Sequence, residues 1–282
     1  TFSQIESAAS GNWTSTSSWV GGVVPTNSND IVIKSGHTLT LQSNRNVSGI
    51  EIEPGGTLSL TSGVTLNFYP GAISLVDFVN NGTISSSGLA TIKSTSILRL
   101  SGSGTFDSSI KFWIPYYLNI PSSATITINN ELRSTGGGFV KIVSGGKLIL
   151  NGVVKFEGTT TLINEGIVEI KNSNFCTTSP SQTPNSCFEN SINSTVIYNY
   201  DGEFKSPVQM KYNSFYNSHF YNVSFLGQIT SSSDFIIYNN FHLDGTFTHT
   251  NSGNIVSFNG AGSGTFTGSG TFNGKNISSA LV

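Results

Sequence analysis

The feature that most constrains this chain is a stretch that it makes again and again. Ile31-Val-Ile-Lys-Ser-Gly-His-Thr-Leu-Thr-Leu41 is matched in residue type, place by place, by Ile50-Glu-Ile-Glu-Pro-Gly-Gly-Thr-Leu-Ser-Leu60. Val140-Lys-Ile-Val-Ser-Gly-Gly-Lys-Leu-Ile-Leu150 is a third copy, and looser copies run over residues 90–100 and 118–128. Each copy is two short alternating segments around a polar or glycine corner. Apolar residues at the first, third, ninth and eleventh places therefore share one side. The copies begin at residues 31, 50, 90, 118 and 140, at intervals of 19, 40, 28 and 22. The longest interval is two turns of about 20 residues. Such spacing predicts a solenoid whose coils are single repeats of parallel strands. The expected fold is all-β, a parallel β-helix, with Ile31, Ile33, Leu39, Leu41, Ile50, Ile52, Leu58 and Leu60 inside.

One continuous solenoid with four stretches is expected. Residues 1–29 show no strand alternation and carry Trp13 and Trp19. A solenoid's first coil needs a cover, and two indoles suit that role, so this stretch reads as an N-terminal cap. A carbohydrate-stacking surface is the other reading. Coils are plainest over 30–172, where Phe112-Trp-Ile-Pro-Tyr-Tyr-Leu118 interrupts them with bulk and a proline, as at a coil edge. Residues 173–195 are polar and proline-bearing and read as a loop excursion. Coils resume over 196–282, where Asn222-Val-Ser-Phe-Leu-Gly227 is echoed from Asn240 and from Ile255, and Gly-Thr-Phe recurs. Shorter coils with stacked Phe inside are predicted there. The last coil, 255–282, carries Phe258, Phe266 and Phe272, and is expected to abut another chain or domain, or else to be plugged by 273–282.

The opening stretch resembles known proteins. Trp13-x5-Trp19-x-Gly21-Gly22-x-x-Pro25, followed by Asn29-Asp-Ile-Val-Ile-x-x-Gly36-x-Thr-Leu39, is similar to the start of secreted surface β-helix proteins of Bacteroidetes. It also resembles the glycine-rich extracellular domain that opens fibrocystin-like and hyaluronan-degrading cell-surface proteins. The resemblance covers residues 11–63 and continues more weakly at Val79-Asn-Asn-Gly-Thr-Ile84 and Ile163-Asn-Glu-Gly-Ile-Val168. It implies a right-handed parallel β-helix at a cell surface or in the matrix. Those families do not share one activity.

Charge narrows the partners. Only 10% of residues are charged and the net charge is −2, against roughly 25% charged in an ordinary soluble domain. Neither nucleic acid nor an anionic membrane is an expected partner. No apolar run approaches the roughly 20 residues of a membrane span. Thr1-Phe-Ser-Gln-Ile5 lacks the basic start and apolar block of a signal peptide. The two cysteines, Cys176 and Cys187, are separated by ten residues in a polar loop, and a disulfide between them is expected. By loop entropy it would contribute about 3 kcal/mol and imply an oxidising compartment. Two unpaired thiols are the other reading. Asn-X-Ser/Thr sequons stand at Asn12, Asn46, Asn81, Asn193, Asn222 and Asn276. In a chain this rich in Asn, Ser and Thr, chance yields roughly eight, so six is no enrichment and they permit glycosylation without arguing for it.

The chemistry-bearing candidates are few. No nucleophile elbow, zinc-protease helix or phosphate loop is present. Asp201 and Glu203 sit at i and i+2, roughly 7 Å apart on one side of a strand, and are the weak candidates for a catalytic carboxylate pair; Lys205 continues that side. A solvated strand edge is the plainer reading. His242, Asp244 and His249 either meet as metal ligands or are polar positions on successive coils; no metal or other cofactor is expected. Tyr198, Tyr200, Tyr216 and Tyr221 crowd a stretch rich in Asn and form a candidate glycan-stacking row, or else shield a Phe core. The leading expectation is a non-catalytic extracellular or cell-surface structural or adhesive β-helix, possessing no cofactor and self-associating end to end. A polysaccharide-binding module and a polysaccharide lyase or glycoside hydrolase are the alternatives.

Overall fold

The computed structural model describes residues 3–69, 75–135, 137–156, 160–172, 188–190, 194–199, 202–203, 208–210, 218–231, 235–249, 255–258, 265–273 and 276–279. These form an all-β solenoid of parallel sheets. Chain order cycles through three faces. Asn29–Ile33, Gly49–Ile52, Leu75–Asn80, Ile97–Ser101, Tyr117–Ile120 and Phe139–Ile142 lie in a ten-stranded sheet, the first face. Thr38–Leu41, Thr57–Leu60, Thr83–Ser86 and Thr105–Phe106 form the second face, where a separate sheet takes over at Thr125–Ile128 and Lys147–Leu150. Arg45–Val47, Thr65–Phe68, Ala90–Ser94, Ile110–Trp113, Leu132–Ser134 and Val154–Phe156 make the third.

Alternation puts one side of every strand indoors, and the parallel register stacks those side chains into columns. Ile31 pairs with Ile50, Ile50 with Phe78 and Phe78 with Leu100. Leu98, Leu118, Val140 and Leu162 make a second column. All eight core residues expected from the repeat are buried. Toward the C-terminal end the core becomes aromatic: Phe225 stacks on Phe247 with centroids 5.2 Å apart, and Phe247 on Phe272 at 5.5 Å.

Several local expectations are revised. Each full coil carries three strands, since short third-face strands such as Arg45–Val47 are too brief to show alternation. The copy beginning at Ala90 is out of phase: Ala90–Ser94 lies on the third face, pairing with Thr65–Phe68, and the first-face strand is Ile97–Ser101. Residues 1–29 also contribute strands, Ser3–Glu6 pairing with Asn29–Ile33 and Gly11–Asn12 with Thr38–Leu41. Among the later echoes, Asn222–Phe225 does stack on Phe241–Leu243. Ile255–Phe258 instead pairs with Phe235–Ile237 on another sheet. The bulky run 112–118 keeps its alternation around a corner, with Phe112, Ile114 and Leu118 inside and Trp113, Tyr116 and Tyr117 outside. No helix among the described residues is long and apolar enough to cross a membrane.

Candidate functional site

That corner is where the surface becomes unusual. Trp113, Tyr116, Tyr117 and Phe139 are 36–39% exposed although each is a large aromatic. Pro115 bends the chain between the third-face strand Ile110–Trp113 and the first-face strand Tyr117–Ile120. Adjacent coils stand about 4.8 Å apart, and Tyr117 is in register with Phe139 one coil on. Their rings lie 5.5 Å apart at 34°, a shared outward platform. Gly138 permits this approach, because a Cβ there would run into the main-chain carbonyl of Tyr116.

Two outward columns run along the first face. Leu75, Ile97, Tyr117, Phe139 and Thr161 form the apolar one. Asp77, Arg99, Asn119 and Lys141 form the polar one beside it, two residues further along each strand. Arg99 grips Asp77 with both forks, Nη2 to Oδ2 at 2.6 Å, and Lys141 meets Glu165 at 2.9 Å. Asn119 stands between these pairs. Ile97, Tyr117, Asn119, Phe139, Lys141 and Ile163 line a shallow, mostly apolar hollow of about 230 Å³. Flat apolar rings beside amide and charged groups can stack on a sugar's C–H face while bonding its hydroxyls.

On the third face, Trp113 sits between cations. Lys93 Nζ stands 4.3 Å from the indole centroid and the Arg133 guanidinium 5.7 Å from it. The indole N–H reaches Thr135 Oγ1 at 3.4 Å.

Nearer the N-terminal end, the first face carries a groove of about 460 Å³ lined in part by Asp30, Ser48, Glu51 and Asp77. Gly49 leaves a gap there, since a Cβ would touch Asp30 Oδ1 and the Asp77 carbonyl. Burial, and then the charge of Asp77, push the Asp30 carboxyl above its usual range. Asp77 is already held by Arg99, so Asp30 and Asp77 do not form a pair of available carboxylates.

The residues anticipated from sequence fare differently. Tyr198 is corrected: it is 1% exposed, tilted against Phe225 with centroids 5.5 Å apart, and stacks inside the core, so it has no face for a ligand. Tyr221 is half-buried. Tyr200, Tyr216, Asp201, Cys176, Cys187 and Asn193 lie outside the described residues. Glu203 belongs to the strand Gly202–Glu203, in register with Thr230, and Asn276 opens the strand Asn276–Ser279; their side chains are not described. His242 Nε2 meets Asp244 Oδ2 at 2.8 Å, while His249 lies on a different sheet, so the three do not converge. Among the described residues no group of three or more His, Cys, Asp or Glu is placed to hold a metal. Asn12 and Asn46 are exposed. Asn81 accepts from the Ser103 N–H, and Asn222 donates to the Ser194 carbonyl while accepting from Asn239, so both amides serve the coil stack.

Sequence reading missed the aromatic corner as a surface, because only the cross-coil register shows Tyr117 beside Phe139, 22 residues away. Its signal was the bulky run 112–118 itself. Comparison with family profiles, curated proteins and solved structures finds no match to this chain.

Proposed function

We propose that this chain is a non-catalytic, extracellular adhesive β-helix that binds polysaccharide along its first face. The Tyr117–Phe139 platform beside Asn119 carries the reading: two outward rings in register, held on a rigid sheet, with hydrogen-bonding groups one column away. A linear glycan laid along the solenoid axis meets the next coil about every 4.8 Å, so the sheet repeat continues the same pattern of apolar and polar contacts. The resemblance of residues 11–63 to surface β-helix proteins supports the extracellular placement.

The test is affinity electrophoresis of the full chain through gels cast with neutral and acidic polysaccharides. Retardation by at least one polymer is expected, with about tenfold weaker binding on Tyr117→Ala or Phe139→Ala, as for loss of a stacked ring. No retardation by any polysaccharide, or retardation unchanged in both variants, rejects the reading. A second reading is end-to-end self-association. Phe266, in register with the buried Phe241 and 4.9 Å from it, is 52% exposed. Sedimentation that stays monomeric over a wide concentration range rejects that one.

A further inference from the structure

We infer that the polysaccharide is a polyanion, its carboxylate or sulfate groups met by a column of cations on the third face, around the corner from the Tyr117–Phe139 platform. This rests on the glycan-binding reading but on different residues. Lys93, Trp113, Arg133 and Lys155 stand in register on four successive coils, a row about 14 Å long at one coil per 4.8 Å. Lys111 lies in the neighbouring outward column, two residues before Trp113 on the same strand. Four of the chain's thirteen basic residues are thus collected on one patch of a protein whose net charge is −2.

Among the described residues Glu131 answers this patch, 2.6 Å from Lys155 Nζ. Glu157, two residues beyond Lys155, lies outside the described residues. Burial would raise the Glu131 carboxyl, but Lys155, Lys111 and Arg133 hold it below its usual range, which shows how strongly positive its surroundings are. Trp113 serves here as a holder of cations: its ring faces the Lys93 ammonium and its N–H is turned to Thr135.

Charges on successive coils, with Lys111 supplying the one on the coil of Trp113, suit a chain with anions repeated along its length better than a single small anion. The row's continuity with the aromatic platform, through Pro115 and Tyr116, suits a sugar backbone better than a lipid surface. Nucleic acid would answer the same charges and is separated by experiment.

Titration calorimetry on the full chain uses four probes: neutral dextran, polygalacturonate, dextran sulfate and an oligothymidylate. Polygalacturonate or dextran sulfate is expected to bind, with affinity falling steeply between low and moderate salt. The double variant Lys93→Gln, Lys111→Gln should weaken that binding about tenfold with an unchanged circular dichroism spectrum. The salt titration of the unaltered chain decides the matter if the variant does not fold. Dextran binding as tightly as the acidic polymers, insensitive to salt, overturns this inference and leaves glycan binding standing. Oligothymidylate binding as tightly as the acidic polysaccharides overturns it in favour of nucleic acid. Binding of none of the four overturns it, and loss of retardation by every gel polymer removes the underlying reading as well.

Discussion

Trp19 donates its indole N–H to the main-chain carbonyl of Trp13 across 2.6 Å, and the two rings meet edge to face with centroids 5.0 Å apart. Both are buried in the core beside the first coils. The Trp13 indole N–H, also buried, has no hydrogen-bond partner among the described residues. Two chemically identical substitutions should therefore differ. Trp19→Phe removes a donor and leaves a buried carbonyl without it, whereas Trp13→Phe removes a donor that bonds nothing. Urea unfolding should show Trp19→Phe costing more than Trp13→Phe by about 1–3 kcal/mol. Equal costs would mean that the Trp19–Trp13 bond adds nothing to the stability of this segment.

Asn80 and Asn164 occupy places where the repeat otherwise puts an aliphatic residue, and both are buried. Each carbonyl oxygen accepts the N–H of the glycine two residues on, Gly82 or Gly166, at 3.2 Å. Each amide donates to a main-chain oxygen on the next coil, Thr105 at 3.1 Å and Thr195 at 3.0 Å. The amide thus closes a tight corner and clips it to its neighbour. Asn80→Leu, though it restores an apolar column, should destabilise the fold by about 1–3 kcal/mol by leaving buried polar groups unpaired. A neutral or stabilising result in denaturant unfolding would show that packing outweighs the clip.

These asparagines also show what the sequence could reveal. The copies at Ile31 and Ile50 announced coil stacking, and the register Ile31 to Ile50 follows the repeat. The copies at 118 and 140 likewise stack on one another. Yet Ile50 pairs with Phe78, while Leu118 stacks through Leu98 onto Val76, so the two sets are two residues out of step on the first face. The six-residue strand Leu75–Asn80 spans both columns and absorbs the shift. Repeat matching within single copies cannot show such a slip, because alternation has a period of two and survives it. For the same reason outward neighbours such as Tyr117 and Phe139, or Lys93 and Trp113, were illegible: the inward residues fix the fold, and only the register assigns outward partners. Tyr198 failed differently. Its residue type suited a surface row, but its place in the alternation beside Val196 puts it inside.

Gly138 offers a test that joins fold to site. It carries no positive φ, so its requirement is space: a Cβ would collide with the Tyr116 carbonyl, which accepts the Phe139 N–H at 3.0 Å. Gly138→Ala should cost about 1–3 kcal/mol as an overpacked close approach. It should also move Phe139 away from Tyr117 and weaken polysaccharide retardation at temperatures where the variant remains folded. Unaltered stability and retention together would contradict the close approach at this corner.

Acid should act oppositely on two carboxyls of the coil stack, Glu169 and Asp30. Burial alone would raise the Glu169 carboxyl, but hydrogen bonds from Lys147, Asn199 and Lys171 together hold it below the ordinary value of 4.5. Lys147 stands at 2.8 Å and Lys171 at 3.2 Å. A carboxyl whose folded pKa is depressed stabilises the fold fully above its unfolded pKa, and the contribution is lost as pH falls through the folded pKa. Asp30 has the opposite sign. Burial and then Asp77 raise it above 3.8, so its contribution is present below that value and is lost as pH rises through the folded pKa. Unfolding free energies measured from pH 3 to pH 7 should therefore diverge between two variants. Glu169→Gln should be less stable than the unaltered chain by about 1–3 kcal/mol at pH 7, with the gap closing toward pH 3. Asp30→Asn should be more stable at pH 7 and gain nothing at pH 3. Parallel pH profiles for the two variants would show that neither carboxyl is tuned by its place in the coil stack.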